Sequence, residues 1–369
     1  MKLMKTTEAV GQVLCHDITQ IIPGVKKDAV FRKGHIITKE DIPVLLSVGK
    51  DTIYIWEKDE TMMHENEAAE VLYRMSACGT NSNETDGERH CEAAESGAFG
   101  GTTSKMHPSP VKEGKIEVIA DCDGLLKVDS EKLKKVNSFG EMMIATRHGN
   151  TTVKKGDKLA GTRIIPLVIK KDKLKEASNI CEDGPILDIK PFVVRKAAII
   201  TTGNEVFHGR IQDAFTPVIE KKIAEFGAQM MFHEVFDDDD KKITDGCLRA
   251  IEAGAEIVFC TGGMSVDPDD KTPLAIKNTG ARIVSYGSPV LPGAMFLLSY
   301  YDAGDRLVPI CGLPGCAMYN KRTIFDIVLP RLMACDMILA DELAGLGEGG
   351  LCLNCDVCTF PNCGFGKGF

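Results

Sequence analysis

No apolar stretch in this chain of 369 residues is long. Residues 164–169 and 257–260 are among the longest, far short of the roughly 18 that a membrane-spanning helix needs, so no membrane partner is expected. Lysines near the N-terminus have no apolar segment behind them, so no signal peptide is expected and the reading is cytoplasmic. Basic excess is absent too. The net charge is −9 with no basic stripe, which argues against nucleic acid as the main partner. An anionic ligand would need local help from backbone amides, Mg²⁺ or a few placed basic side chains. Residues 76–110 have almost no large apolar side chains, and this predicts an exposed, irregular insertion in which Cys78 and Cys91 are surface thiols. No disulfide framework is visible. Of 14 cysteines, those outside the C-terminal cluster are scattered and read as reduced thiols.

What is present is a globular pattern, with 44% hydrophobic residues and enough chain for about two or three domains. Short β-like runs at 12–14 and 52–56 surround turns at Pro23-Gly24 and Lys33-Gly34. Helices are expected over 39–47 and 65–75, and strands over 116–120 and 124–128. Lys190-Pro191 marks the main boundary. Beyond it, strands at 197–201, 230–235, 256–260, 281–285 and 307–311 alternate with helical patterns. Ile219, Ile223 and Phe226 carry one, Ile243, Cys247 and Ala250 another, and 317–332 a third. The sequence therefore predicts an α/β fold, a mostly parallel sheet with helices on both faces, behind a smaller β-rich N-terminal domain. The expected domains are 1–190, with an insertion at about 76–110, then 191–340, then a cysteine-rich tail at 341–369.

Three glycine turns close apolar runs in the second half: Thr202-Gly203-Asn204-Glu205, Gly262-Gly263-Met264-Ser265 and Gly312-Leu313-Pro314-Gly315. Strand ends of an α/β sheet line one crevice, and glycine there lets amides approach an anionic group. Asp267, Asp269 and Asp270 follow the second turn, where carboxylates can hold Mg²⁺ or position a water; an acidic start to the helix after Pro273 is the plain alternative. Glu205 can accept from a ligand hydroxyl or N–H, or be a loop acid. The run Asp237 to Asp240 most simply complements a helix dipole. Residues 147–150 and His64-Glu65-Asn66 are further candidates that ordinary loop positions explain equally well. The same holds for Arg210, Lys271, Lys321 and Arg322 beside the crevice.

Cys352, Cys355, Cys358 and Cys363 follow C-x₂-C-x₂-C-x₄-C spacing, which suits an iron–sulfur cluster or a four-cysteine zinc; a thiol-rich tail that binds metal only opportunistically is the alternative.

On the three turns, the block ending in Asp270 and the Pro292-Gly293 turn, residues 196–332 resemble the MoeA-type molybdopterin molybdenumtransferases of molybdenum-cofactor biosynthesis. The first half looks like a reduced form of that family's N-terminal region, most suggestively at residues 31–35. The resemblance implies a mixed α/β molybdopterin-binding fold that takes molybdopterin or its adenylylated form along the strand ends. With Mg²⁺, such enzymes cleave the adenylate and place molybdate on the dithiolene. It assigns the pterin to the three turns, Asp213, Ser265, Pro292 and Gly293, and the metal-assisted chemistry to Asp270 and Glu205. The chain departs from the pattern at Ala214-Phe215, at Ala294-Met295, where a cation is lost, and at Cys316-Ala317; the family's C-terminal β-domain is replaced by the cysteine tail. Two functions stay open: an enzyme, or a carrier that delivers cofactor to a recipient molybdoenzyme. A dinucleotide pyrophosphatase on a related sheet is a third. A homodimer joined through the N-terminal half is expected from the resemblance alone.

Overall fold

The computed structural model describes residues 2–22, 26–55, 59–79, 105–265, 267 and 270–368. The expected turn at Pro23-Gly24 lies outside them, as do Trp56, Cys91 and Asp269. Two compact units form, one from residues 1–121, 128–147 and 155–188, the other from 122–127, 148–154 and 189–369.

The first unit is strand-rich. Lys115–Ala120 alternates, burying Ile116, Val118 and Ala120, and pairs antiparallel with Met106–Pro108 and Lys158–Ile164; Met142–Thr146 completes the sheet. The helix Glu65–Ala77 packs on it, with Ala68, Ala69, Leu72 and Met75 all buried. His64 caps this helix: its Nδ1 accepts from the Asn66 amide at 3.3 Å, and its Nε2 lies 2.8 Å from the Cys15 carbonyl oxygen. A separate apolar cluster of Leu14, Ile18, Ile37, Leu45, Ile53 and Ile55 holds the first segments together. The expected irregular insertion is corrected at both ends. Ser76 and Ala77 are buried in the helix, where the Ser76 hydroxyl donates to the Leu72 carbonyl, and Met106–Pro108 is a strand; residues 80–104 lie outside the described ones.

The second unit is built on six strands: β1 (Lys196–Thr202), β2 (Gln229–Phe236), β3 (Ile257–Thr261), β4 (Arg282–Tyr286), β5 (Leu297–Asp302) and β6 (Leu307–Leu313). Their order is β2-β1-β3-β6-β5-β4, parallel from β2 to β6 and antiparallel at β5. Both faces are covered. Ala197, Ile199, Ile257 and Phe259 pack with α1 (Phe215–Ala224) and α4 (Ile324–Met333). Ala198, Ile200, Val258 and Cys260 pack with α2 (Asp240–Glu252) and α3 (Thr272–Asn278). Strands buried on both sides read as continuous apolar runs, which is why β1 and β3 are plain in the sequence.

Two expectations are revised here. The helix expected over 317–332 starts only at Ile324, because Thr323 and Asp326 form a capping box there. β5 was not anticipated as a strand; it follows the Pro292-Gly293 turn and, running antiparallel, gives the mixed sheet that was expected. Residues of the C-terminal segment join this unit's core: Phe365 is buried, and Cys352, Phe360 and Cys363 pack beside it. No helix among the described residues is long and apolar enough to cross a membrane.

Candidate functional site

Because β1, β3 and β6 are parallel neighbours, Thr202, Thr261 and Leu313 finish on one edge of the sheet, and the three glycine turns leave from it. β5 runs the other way, so the Pro292-Gly293 turn that leads into it lies on the same edge. The chain leaves β1 for β2 on one side and returns to β3 on the other, so the strand order reverses beside β1. This is where ligands enter open α/β sheets.

The first two turns interlock. Gly262 and Gly263 take φ of +82° and +54°; a side chain on Gly262 would collide with the Thr202 carbonyl, and one on Gly263 would meet Thr272 Oγ1 at 2.8 Å. The Thr202 hydroxyl donates to the Thr261 carbonyl at 3.1 Å, lies 3.0 Å from Thr272 Oγ1, and the Thr272 hydroxyl donates to the Gly262 carbonyl at 2.9 Å. Both threonines are buried. The amides of Gly263 and Gly315 donate to no acceptor among the described residues.

The carboxylates divide by role. Asp270 accepts from the Ser265 amide at 2.7 Å through one oxygen; the other has no protein partner among the described residues. Glu205 is exposed beside the first turn, and the Asn204 amide donates to Asp238 at 3.2 Å. Asp239 caps α2 by accepting from the Lys241 and Lys242 amides, which agrees with the dipole reading of that acidic run. Asp213 is fully engaged: it accepts from the hydroxyls of Thr201 and Thr216, at 2.9 and 2.6 Å, and from the Phe215 and Thr216 amides. Burial acts to raise its pKa, but these hydrogen bonds outweigh burial and hold it below the ordinary carboxylate value.

Other assigned positions serve packing. Gly312 is buried in β6 where a side chain would meet the Met264 thioether, and Gly293 is buried against Ile324, the first residue of α4. Lys321 donates to the Cys355 and Asp356 carbonyls and Arg322 to Asp326, so both are committed away from the glycine turns. Among the described residues no three His, Cys, Asp or Glu side chains stand together as a metal site, the four tail cysteines included; all described cysteines are unbridged.

Sequence reasoning missed Thr272, His233 and Tyr286. Thr272 was signalled by Pro273, which marks a helix start. His233 lies 3.2 Å from both Thr201 and Thr216 hydroxyls, and the Tyr286 hydroxyl donates to the Met264 carbonyl at 3.2 Å. His233 arrives from β2 beside β1 and Tyr286 from the edge strand β4, and no local pattern announces them.

Residues 198–334 match the model of a family described as "Probable molybdopterin binding domain", and residues 3–57 match a "Domain of unknown function (DUF8806)". Similar curated proteins include a "Putative competence-damage inducible protein" of Bacillus velezensis, 29% identical over 90 residues, which is 24% of this chain and 21% of that protein. One of the same name from Clostridium kluyveri is 26% identical over 156 residues, 37% of each chain. The chain thus spans about a fifth of the length of the first of these relatives. Among solved structures, the tungsten cofactor synthesizing protein MoaB from Pyrococcus furiosus is similar at 18% identity and a TM-score of 0.30, over 38% of this chain and 88% of that one. CinA from Thermoplasma acidophilum, described as of unknown function, is similar at 19% and 0.28, over 34% and 92%.

Proposed function

We propose that the second unit binds molybdopterin, or its adenylylated form, by its phosphate along the edge where β1, β3 and β6 end, and so acts in molybdenum-cofactor biosynthesis. The observation that carries this reading is the pair of unengaged amides, at Gly263 and Gly315, on the switch-point edge of the sheet. The domain match over residues 198–334 supports the same ligand class.

Within this reading the unit is a molybdenumtransferase of the MoeA type that uses Mg²⁺. Mg²⁺ is usually held by one or two carboxylates with phosphate oxygens and water completing its shell. The free oxygen of Asp270 is such a donor, and Glu205 is placed to accept from a ligand hydroxyl or N–H. The ion would neutralise phosphate charge; Thr202, Gly262, Gly263 and Thr272 fix the turn that receives it. A carrier without chemistry is the second reading. The specific observation in its favour is the shortage of cations: Ala294 occupies the expected lysine position, and Lys321 and Arg322 face other partners.

Incubation of the full chain with adenylylated molybdopterin, Mg²⁺ and molybdate separates these. Retention of the pterin with AMP release, lost in Asp270→Ala while retention persists, supports the enzyme. Retention without release leaves the carrier. Failure to retain any pterin overturns the proposal.

A further inference from the structure

The first unit contains a hollow of about 250 Å³ that the reading above does not use. Six ionisable residues line it: His16, Asp17, Lys50, Glu65, Glu113 and Arg163. They come from five separate parts of the unit and all are half-buried.

Opposite charges in such a place normally pair, because a half-buried charge without a partner loses hydration and gains nothing in return. Here they do not. Among the described residues neither Lys50 nor Arg163 forms an ion pair, and the Glu65 carboxylate accepts no hydrogen bond. Among the described residues the Arg163 side chain donates only its Nε–H, to the Ile164 carbonyl at 3.0 Å. Among the described residues the buried Nδ1 of His16 has no hydrogen-bond partner either. Glu113 and Asp17 are steadied differently: Glu113 accepts from the Thr19 hydroxyl at 3.0 Å and Asp17 from the Lys33 amide at 2.7 Å. Glu113 also takes a φ of +50°, a backbone conformation disfavoured for a residue with a side chain. Gly114 beside it packs so close to Glu65 that an added side chain would meet Glu65 Cβ and Oε2 at 2.8 Å. Strain and unmated polar groups gathered at one place are characteristic of a site that a ligand completes.

The signs of charge narrow the ligand. Three carboxylates oppose a simple anion, and Lys50 and Arg163 oppose a simple cation. A molecule bearing a positive and a negative group on one carbon suits the lining, and the volume lies just below the roughly 300–1,000 Å³ of drug-sized pockets. We propose that this hollow binds a free α-amino acid, with Glu65 and Glu113 holding its ammonium group and Lys50 and Arg163 its carboxylate. The site is independent of pterin binding in the second unit.

Calorimetric titration of the full chain with each standard L-amino acid, and with the N-acetyl and carboxamide derivatives of any that bind, tests this. At least one amino acid is expected to bind, and masking either of its charges should weaken binding roughly tenfold or more. Glu65→Gln and Lys50→Met should weaken it comparably while the far-ultraviolet circular dichroism is unchanged. If one variant fails to fold, the other variant and the ligand derivatives still decide. Absence of binding by every amino acid at millimolar concentration overturns the proposal, as does binding indifferent to both maskings or to both substitutions.

Discussion

The glycine edge of the second unit and the charged hollow of the first are built from different materials. The edge is made of backbone: its amides, its left-handed turns and two buried threonines that lock them. The hollow is made of side chains brought from distant positions. A backbone site depends on shape, so its sharpest test is steric. Gly262→Val places a β-branched side chain at φ +82° and against the Thr202 carbonyl, and should cost about 3–5 kcal/mol in denaturant unfolding together with pterin retention. Gly315→Ala meets nothing within 4 Å and should stay within about 0.5 kcal/mol of the parent. Equal costs at the two positions would refute the distinction drawn between a glycine required by the turn and one that leaves an amide unengaged.

Charge is also handled differently. In the second unit Asp336 is buried among Lys127, Lys190 and Arg331, at 2.8, 2.6 and 2.6 Å. Burial tends to raise its pKa, but the lysine hydrogen bonds and the Arg331 charge prevail and hold it at about 2. A folded-state value below the unfolded one means the contribution is present above the ordinary value of 3.8 and is lost as pH falls toward about 2. The group should supply about 2 kcal/mol at neutral pH. Unfolding free energies measured between pH 5 and pH 2 should fall by about that amount more in the parent than in Asp336→Asn.

The same contrast explains what could be read from the chain. β1, β3 and β6 are legible because strands buried on both faces are continuous apolar runs, and the turns after β1 and β3 are legible because positive φ at Gly203, Gly262 and Gly263 selects glycine. Gly312 and Gly293 look the same in sequence yet serve packing against Met264 and Ile324, since a glycine letter does not say whether a ligand or a side chain fills the space. β5 escaped because Ser299 and the two tyrosines after it interrupt its apolar run, although Leu297, Leu298, Ser299 and Tyr300 are all buried. The hollow was illegible: His16 and Arg163 are ordinary in their own neighbourhoods, and only tertiary folding brings them to one cavity.

Finer probes follow from the threonine lock. Thr272→Val keeps shape but removes the hydroxyl that donates to the Gly262 carbonyl, and should cost about 1 kcal/mol. It should also weaken pterin retention without abolishing it; retention equal to the parent would mean that the turn is held by its glycines alone.

The smallest effect should come from the hollow, and its sign is informative. Burial pushes the Glu65 carboxyl up, Glu113 and Asp17 add repulsion, and the attraction of Arg163 and Lys33 does not offset them. A folded-state value above the unfolded one means that the carboxyl binds its proton more tightly when folded, so its contribution is favourable at low pH and lost as pH rises through that value. At neutral pH ionised Glu65 therefore works against folding, although it opens a helix whose dipole favours a negative charge there. Glu65→Gln should raise the ligand-free melting temperature at pH 7 slightly, by no more than about 0.5 kcal/mol in equivalent stability, and the gain should vanish below pH 4. Asp336→Asn should do the opposite over its own pH range. A loss of stability at pH 7 on replacing Glu65 would mean that its charge is already satisfied by the fold, and would remove the reason for expecting a cationic group to occupy the space beside it.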